Sequence, residues 1–412
     1  MIVNGIIAEY NPFHNGHKYQ LDQCRAATNA DYVIVVLGSN FTQRGEPSIL
    51  DKFTRAKMAL ENGADLVIEL PISHSAASAE YFAHGGVSIL HQLGVVDHLC
   101  FGSECGDARI LDSFAQILLE EPDAFVKDLK SGLAAGHSYP ASRNRALMDY
   151  APQLARHEAV LASPNNILGI EYCKALLKLG SKMKVHTIQR AGASYHDRLF
   201  GADNCSAMAI REALMAGTDL SVIASQMPKK AYQTMRESLQ ETPLITLEDF
   251  SHMLLYKLLM EREDGYEAYA DVPKELSDRI QNHLNEYEGY ASFCDFLKTK
   301  NLTYTRISRC LLHILLNEKK SELLEFGEEG LIPYARVLGF RKEATPLLSE
   351  IKKKSSIPLI TKLADAGEEL SPSAFALLSR DLRRGSIYEC IAAEKAGRKV
   401  RDERQIPLVI LE

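Results

Sequence analysis

Along the first half of the chain, short apolar runs rich in β-branched residues alternate with stretches whose apolar positions recur at helical spacing. The runs are IVNGIIAE from Ile2, YVIVVLG from Tyr32, ADLVIELP from Ala64, VVDHLCFG from Val95 and MKVHTIQR from Met183. Between them lie GHKYQLDQCRAAT from Gly16, DKFTRAKMALENG from Asp51 and AEYFAHGGVSILHQLG from Ala79. Near-continuous apolar strands separated by helices are the pattern of βαβ units and a parallel sheet. Gly63 and Gly94 stand where helices should stop. Between the fourth and fifth strands the chain inserts a long helical stretch, about 107–179, of a size that often shapes a site.

From about Leu214 onward no strand pattern is visible. ITLEDFSHMLLYKLLMERE from Ile245 starts on Thr246 as an N-cap with acids in its first turn, and TRISRCLLHILLNEKKSELLEF from Thr305 is amphipathic at helical spacing. The pattern predicts an α/β domain over 1–215 with a Rossmann-like parallel sheet, then an all-helical domain over 216–412. A length of 412 residues suits two domains, and no repeat of fixed period appears.

Composition changes this picture little. With 46% hydrophobic and 25% charged residues the chain is an ordinary globular sequence. Its net charge of −7 argues against coating nucleic acid by bulk charge and leaves room for a local basic face. The eight cysteines are scattered without a CxxC pair, which predicts reduced thiols, with Cys100 in the core. There is no basic, apolar leader and no apolar run of membrane-spanning length, so a cytoplasmic protein is expected.

The chemistry is concentrated in GIIAEYNPFHNGHKYQL, where a strand runs into a helix across two histidines. In an open parallel sheet, ligands bind beyond the carboxyl ends of the strands, where the connection Ile7–Gln20 lies. His14 and His17, at i and i+3, fall on one side of the first helical turn, whose free N–H groups already favour an anion. Gly16 is expected to let the backbone approach a flat ligand. Such donors suit adenylyl transfer, where charge gathers on the α-phosphate. The spacing alone is also that of surface histidines or half of a metal pair, but no third ligand for zinc is evident. The glycines match neither a dinucleotide nor a Walker pattern.

HNGH after a first strand resembles the HxGH signature of nucleotidyltransferases, and NCSAMAIREAL resembles their second signature. EYNPFHNGH, GSNFTQRGEPSILDKFTRAKMAL, FGSECGD, SPNNILGIEYCKAL, IQRAG, TRISRCLLHILL and YARVLGF together resemble the bacterial tRNA(Met) cytidine acetate ligases over essentially the full length. That resemblance implies a nucleotidyltransferase-type sheet. It also implies activation of acetate by ATP as acetyl-adenylate, and acetyl transfer to N4 of the wobble cytidine of elongator methionine tRNA. By motif, it places ATP on Ile7, Ala8, Glu9, Tyr10, Asn11, Pro12, Phe13, His14, Asn15, Gly16, His17, Lys18, Tyr19 and Gln20, with His14 and His17 catalytic. Gly102, Asn165 and Arg190 complete the nucleotide site, Ser206 caps a helix, and Arg211 faces the triphosphate.

Other candidates rest on charge. The loop NFTQRGEPSILDKFTRAK gathers Gln43, Arg44, Lys52 and Arg55, with Arg44 the best partner for triphosphate or acetate and Lys52 and Arg55 equally suited to the wet face of a helix. Mg2+ is expected to arrive on the ATP phosphates, without a protein cage. Arg306 with Arg309, Lys352 with Lys353 and Lys354, and Arg380 with Arg383 and Arg384 are basic clusters able to contact tRNA or to face solvent. Tyr304 and Tyr388 beside them suit either base stacking or helix packing. Two rival functions share these features: a small-molecule adenylyltransferase, and a non-catalytic RNA-binding protein with a vestigial nucleotide fold. No protein partner is evident.

Overall fold

The computed structural model describes residues 1–190, 206–323, 325 and 330–412. Cys205 and the stretch between IQR and Ser206 therefore lie outside the described residues.

The five expected strands form: β1 (Val3–Ala8), β2 (Tyr32–Gly38), β3 (Leu66–Leu70), β4 (His98–Ser103) and β5 (Lys184–Gln189). They lie in the order β5-β4-β1-β2-β3, all parallel, with Ile6 opposite Val35 and Leu99 opposite Val185. Strand order reverses at β1, whose neighbours are β4 and β2, so a crevice opens beyond its carboxyl end. Helices α1 (Asn15–Thr28), α2 (Lys52–Glu61) and α3 (Ala79–Gln92) connect the first four strands. The insertion is helical as expected, with α4 (Ala108–Glu120), α5 (Asp123–Ala134), α6 (Tyr139–Tyr150) and α7 (Pro164–Lys178). After β5 come α8 (Ala207–Met215) and α9 (Lys229–Glu241).

Alternate residues of the strands enter two cores. Ile34, Val36, Leu66 and Ile68 pack with Phe82, Val87 and the insertion, while Val33, Val35, Leu37 and Val67 pack on the other face with Leu60, Ile210 and Met235. That alternation explains why the strands read as unbroken apolar runs.

The C-terminal half is not all helix. Helices α10 (Ser251–Met260), α11 (Lys274–His283), α12 (Tyr290–Leu297) and α13 (Tyr304–Leu315) build a third core, but β6 (Ala335–Arg341) then joins the same sheet, antiparallel to β3. After β6, β7 (Leu359–Ile360) and β8 (Val409–Leu411) pair along it, and α14 (Thr345–Lys354) and α15 (Pro372–Lys395) complete the chain. The expected all-helical domain is thus corrected to helices plus three strands. Met235 and Leu338 share a core with β1 and β2, so the expected boundary between 215 and 216 does not separate two cores.

A buried ion network ties the halves further. Glu69 of β3 accepts from Lys52 Nζ at 2.6 Å and Arg336 of β6 at 2.7 Å, and Glu403 also pairs with both cations. Burial opposes charge on Glu69, but Lys52 and Arg336 hold its carboxyl down at about 2. Lys52 is therefore a buried structural cation, and neither a phosphate ligand nor a wet-face lysine.

Candidate active site

His14 is the N-cap of α1, and His17 is its third residue. The His14 Nδ1 accepts from Gly16 N at 3.0 Å, and the His17 Nδ1 accepts from His14 N at 3.2 Å, a capping box made of two imidazoles. A neutral imidazole has one donor and one acceptor nitrogen, so each ring carries its proton on Nε2. The rings lie with centroids 3.8 Å apart, and Tyr10 and Phe13 pack against His17. Burial, with Arg190 and Arg211 adding to it, lowers His14 to about 3. Burial and the neighbouring His14 hold His17 well below its ordinary value. Both are neutral N–H donors at physiological pH.

Two expectations change as a result. Three backbone N–H groups of the first turn are not left for an anion: those of Gly16, His17 and Lys18 bond His14. Gly16 serves its neighbour, since a Cβ there would lie 2.8 Å from the His14 ring, and it does not line the pocket.

The pocket opens at the end of β1. Ile7, Ala8, Glu9, Tyr10, Asn11, His14, His17 and Gln20 line one side of it. Pro12, Phe13, Asn15, Lys18 and Tyr19 do not line it: Phe13 is core, Asn15 donates to the Ser225 carbonyl, and Lys18 pairs with Asp22. Tyr10 sits at φ 47°, an uncommon backbone angle for a bulky side chain, and its ring contacts with Phe13 and His17 over-determine it.

Gly102, Asn165, Arg190, Ser206 and Arg211 also line the pocket. Ser206 caps α8, accepting from Ala209 N at 3.2 Å, and Arg211 one turn on donates to the Asn11 carbonyl at 2.7 Å. Asn165 donates to Glu104 at 2.7 Å while Asn166 accepts from Glu104 N and Cys105 N, locking the start of α7 to the loop after β4. Arg190 N bonds the Ser103 carbonyl, fixing its backbone at the sheet end.

The loop after β2 forms the roof, with Thr42, Gln43 and Arg44 facing in and Arg44 against Met208 Sδ at 3.7 Å. Gly45, at φ 77°, turns this loop where a Cβ would strike the Arg309 backbone at 2.3 Å. Arg55 lies fully buried beneath. Its guanidinium donates to the carbonyls of Glu9, Gly38, Ser39 and Leu50, which excludes the wet-face reading.

Sequence reasoning missed Thr42, Phe82, Phe101, Leu168, Tyr172, Ala207 and Met208 as lining residues. A signal existed for two of them, because Leu168 and Tyr172 follow Asn165 at i+3 and i+7 on one face of α7.

The model of the HIGH Nucleotidyl Transferase family matches residues 1–403. The chain is 39% identical to the tRNA(Met) cytidine acetate ligase of Acetivibrio thermocellus over all of both chains, and 37% identical to that of Halothermothrix orenii over 99% of each. The crystal structure of Thermotoga maritima TmcAL in an apo form superposes with a TM-score of 0.94 at 32% identity over the full length of both. A second form, bound with alpha-thio ATP, gives 0.91 at 31% over the same span. The chain belongs to the tRNA(Met) cytidine acetate ligase family.

In this ligase the basic clusters have unequal settings. Arg306 and Arg309 open α13, directly behind the roof loop, where Ser308 donates to the Gly45 carbonyl at 2.8 Å. Asp271 pairs with both, yet Arg306 stays 41% exposed. Lys352, Lys353 and Lys354 are exposed, but the Lys354 backbone abuts Gly94, ahead of β4 and so at the end of the sheet opposite the pocket. Arg383 is exposed. Arg384 is a correction: it is buried, donating to the Leu316 carbonyl and pairing with Glu322. Arg380 pairs with Glu322 and Glu325. Tyr388 is core, its hydroxyl on the Ser48 carbonyl, and Tyr304 packs against the third core.

The seven cysteines described are free thiols, and Cys100 is buried. Among the described residues no helix is long and apolar enough to cross a membrane, and no group of three His, Cys, Asp or Glu is placed to hold a metal.

Proposed function

We propose that the protein is the ATP-dependent ligase of this family acting on elongator methionine tRNA in the cytoplasm. A carboxylate oxygen of acetate attacks the α-phosphorus of ATP, pyrophosphate leaves, and acetyl-adenylate remains in the pocket. The N4 amine of the wobble cytidine then attacks the acetyl carbon, and AMP leaves, giving N4-acetylcytidine. Activation is required because a free carboxylate is a poor acyl donor.

The observation that carries this reading is the tautomer-locked imidazole pair, which aims two neutral N–H donors into a pocket at the strand switch point. Neutral donors fit the role, because they can strengthen as charge builds on the α-phosphate without pairing too tightly in the ground state. Arg44, Arg190 and Arg211 supply cationic partners for the β- and γ-phosphates, and Mg2+ enters as part of the nucleotide substrate. Arg306 and Arg309, beside the roof loop, are the basic pair best placed to guide tRNA to the pocket mouth. A small-molecule adenylyltransferase or a vestigial fold is disfavoured by the full-length match to ligases and by the intact imidazole pair.

The test is mass spectrometry of nucleosides from methionine tRNA incubated with the protein, ATP and isotope-labelled acetate. Labelled N4-acetylcytidine is expected. An adenylated metabolite formed without RNA would support the adenylyltransferase instead.

A further inference from the structure

Acetyl transfer to an exocyclic amine releases a proton, and the histidines cannot take it. Each has its acceptor nitrogen occupied by a backbone N–H, which leaves only the protonated nitrogen of a ring that lines the pocket. The described pocket lining contains one acidic side chain, Glu9, the first residue beyond β1 and half-buried at the switch point. Its Oε1 accepts from Gln43 N at 2.7 Å, and its carbonyl is gripped by Arg55 at 2.6 Å, so both ends of the residue are fixed.

We propose that Glu9 is the general base of the transfer step, its Oε2 receiving the proton of the attacking amine. This rests on the ligase reading above. The N4 lone pair forms the new bond to the acetyl carbon, the bond from that carbon to the adenylate oxygen breaks with its electrons leaving on AMP, and the N–H proton passes to Glu9. Water removes the proton once AMP departs, and no further reactant is needed.

The surroundings support the assignment. Burial raises the Glu9 carboxyl, opposed by the Gln43 N–H and by Arg211 of α8, Arg44 of the roof and Arg55 of α2. A carboxylate made more basic by its site is a better proton acceptor near neutral pH. Tyr172 of α7 lines the same pocket, and burial, with the Glu9 charge adding to it, keeps that phenol protonated. The arginines let a base sit beside two anionic substrates.

The test separates the half-reactions. Glu9→Gln keeps an acceptor for Gln43 N and removes the base. Acetate-dependent exchange of labelled pyrophosphate into ATP reads activation, and single-turnover acetylation of tRNA by enzyme-bound acetyl-adenylate reads transfer. Transfer is expected to fall about 10²- to 10³-fold further than exchange, and the rising limb of the transfer pH profile should flatten. Glu9→Asp should recover part of the transfer rate and the limb. The proposal is overturned if both half-reactions fall together in Glu9→Gln, if transfer is unchanged, or if Glu9→Asp is as slow as Glu9→Gln. Absence of exchange in the unaltered protein would instead remove the ligase reading.

Discussion

His14 and His17 act through the direction of their N–H bonds, and the main chain sets that direction. His17→Ala is expected to lower acetyl-adenylate formation about 10²- to 10³-fold, the scale of one lost transition-state donor; pyrophosphate exchange at the original rate would remove the residue from the mechanism. The same burial has a cost in acid. Native His14 stays neutral down to about pH 3, whereas an unfolded histidine takes up a proton near pH 6.5. Between those values the unfolded chain binds more protons, so His14's stabilising contribution is present above the window and is lost as pH falls through it, by up to about 1.4 kcal/mol per unit. Urea unfolding at pH 7 and pH 5 should therefore show a smaller loss in His14→Gln than in the parent. Equal losses would contradict the burial argument.

At the scale of elements, β1, β2 and β3 were legible because they are covered on both faces and read as apolar, β-branched runs, while the edge strand β5 was legible from its alternating KVHTIQ. β6 was not, because ARVLGFR is a lone run among helices, and β7 and β8 span two and three residues, too short for any period. The histidine turn was legible from spacing; the acceptor role of its Nδ1 atoms was not, since only coordinates reveal which N–H each ring meets. Arg55 shows the same limit. Basic residues at a helix start ordinarily face water, and nothing local announces that four carbonyls from three separate segments converge on this one. Glu69 was the missed clue, an acid set among apolar residues in the strand LVIEL. Arg55→Lys should destabilise the fold by about 3 kcal/mol, since one ammonium cannot reach every stranded carbonyl. Denaturant midpoints check this, and a loss below about 1 kcal/mol would mean the loops hold without it.

For the whole molecule, the sheet joins β3 to β6 and the charge network joins Lys52 to Glu403, linking the two ends of the chain. Glu69→Ala leaves Lys52 and Arg336 buried with Glu403 alone, and an expected loss of about 3–5 kcal/mol should appear as one cooperative shift in urea unfolding. Separate transitions for the two halves would show that β6 does not couple them. The substrate surface is read on the same scale. Arg306→Ala should weaken tRNA binding and reduce the slope of log affinity against log salt by about one, while exchange of pyrophosphate persists. An unaltered slope would return that arginine to a solvated face paired with Asp271.

The glycine between the two histidines bears on how sequences of this kind should be interpreted. Because the His14 ring folds over position 16, an alanine there would push the imidazole aside without touching either histidine codon. A homologue that keeps both rings but not the small residue between them would look armed on paper and be unable to fire.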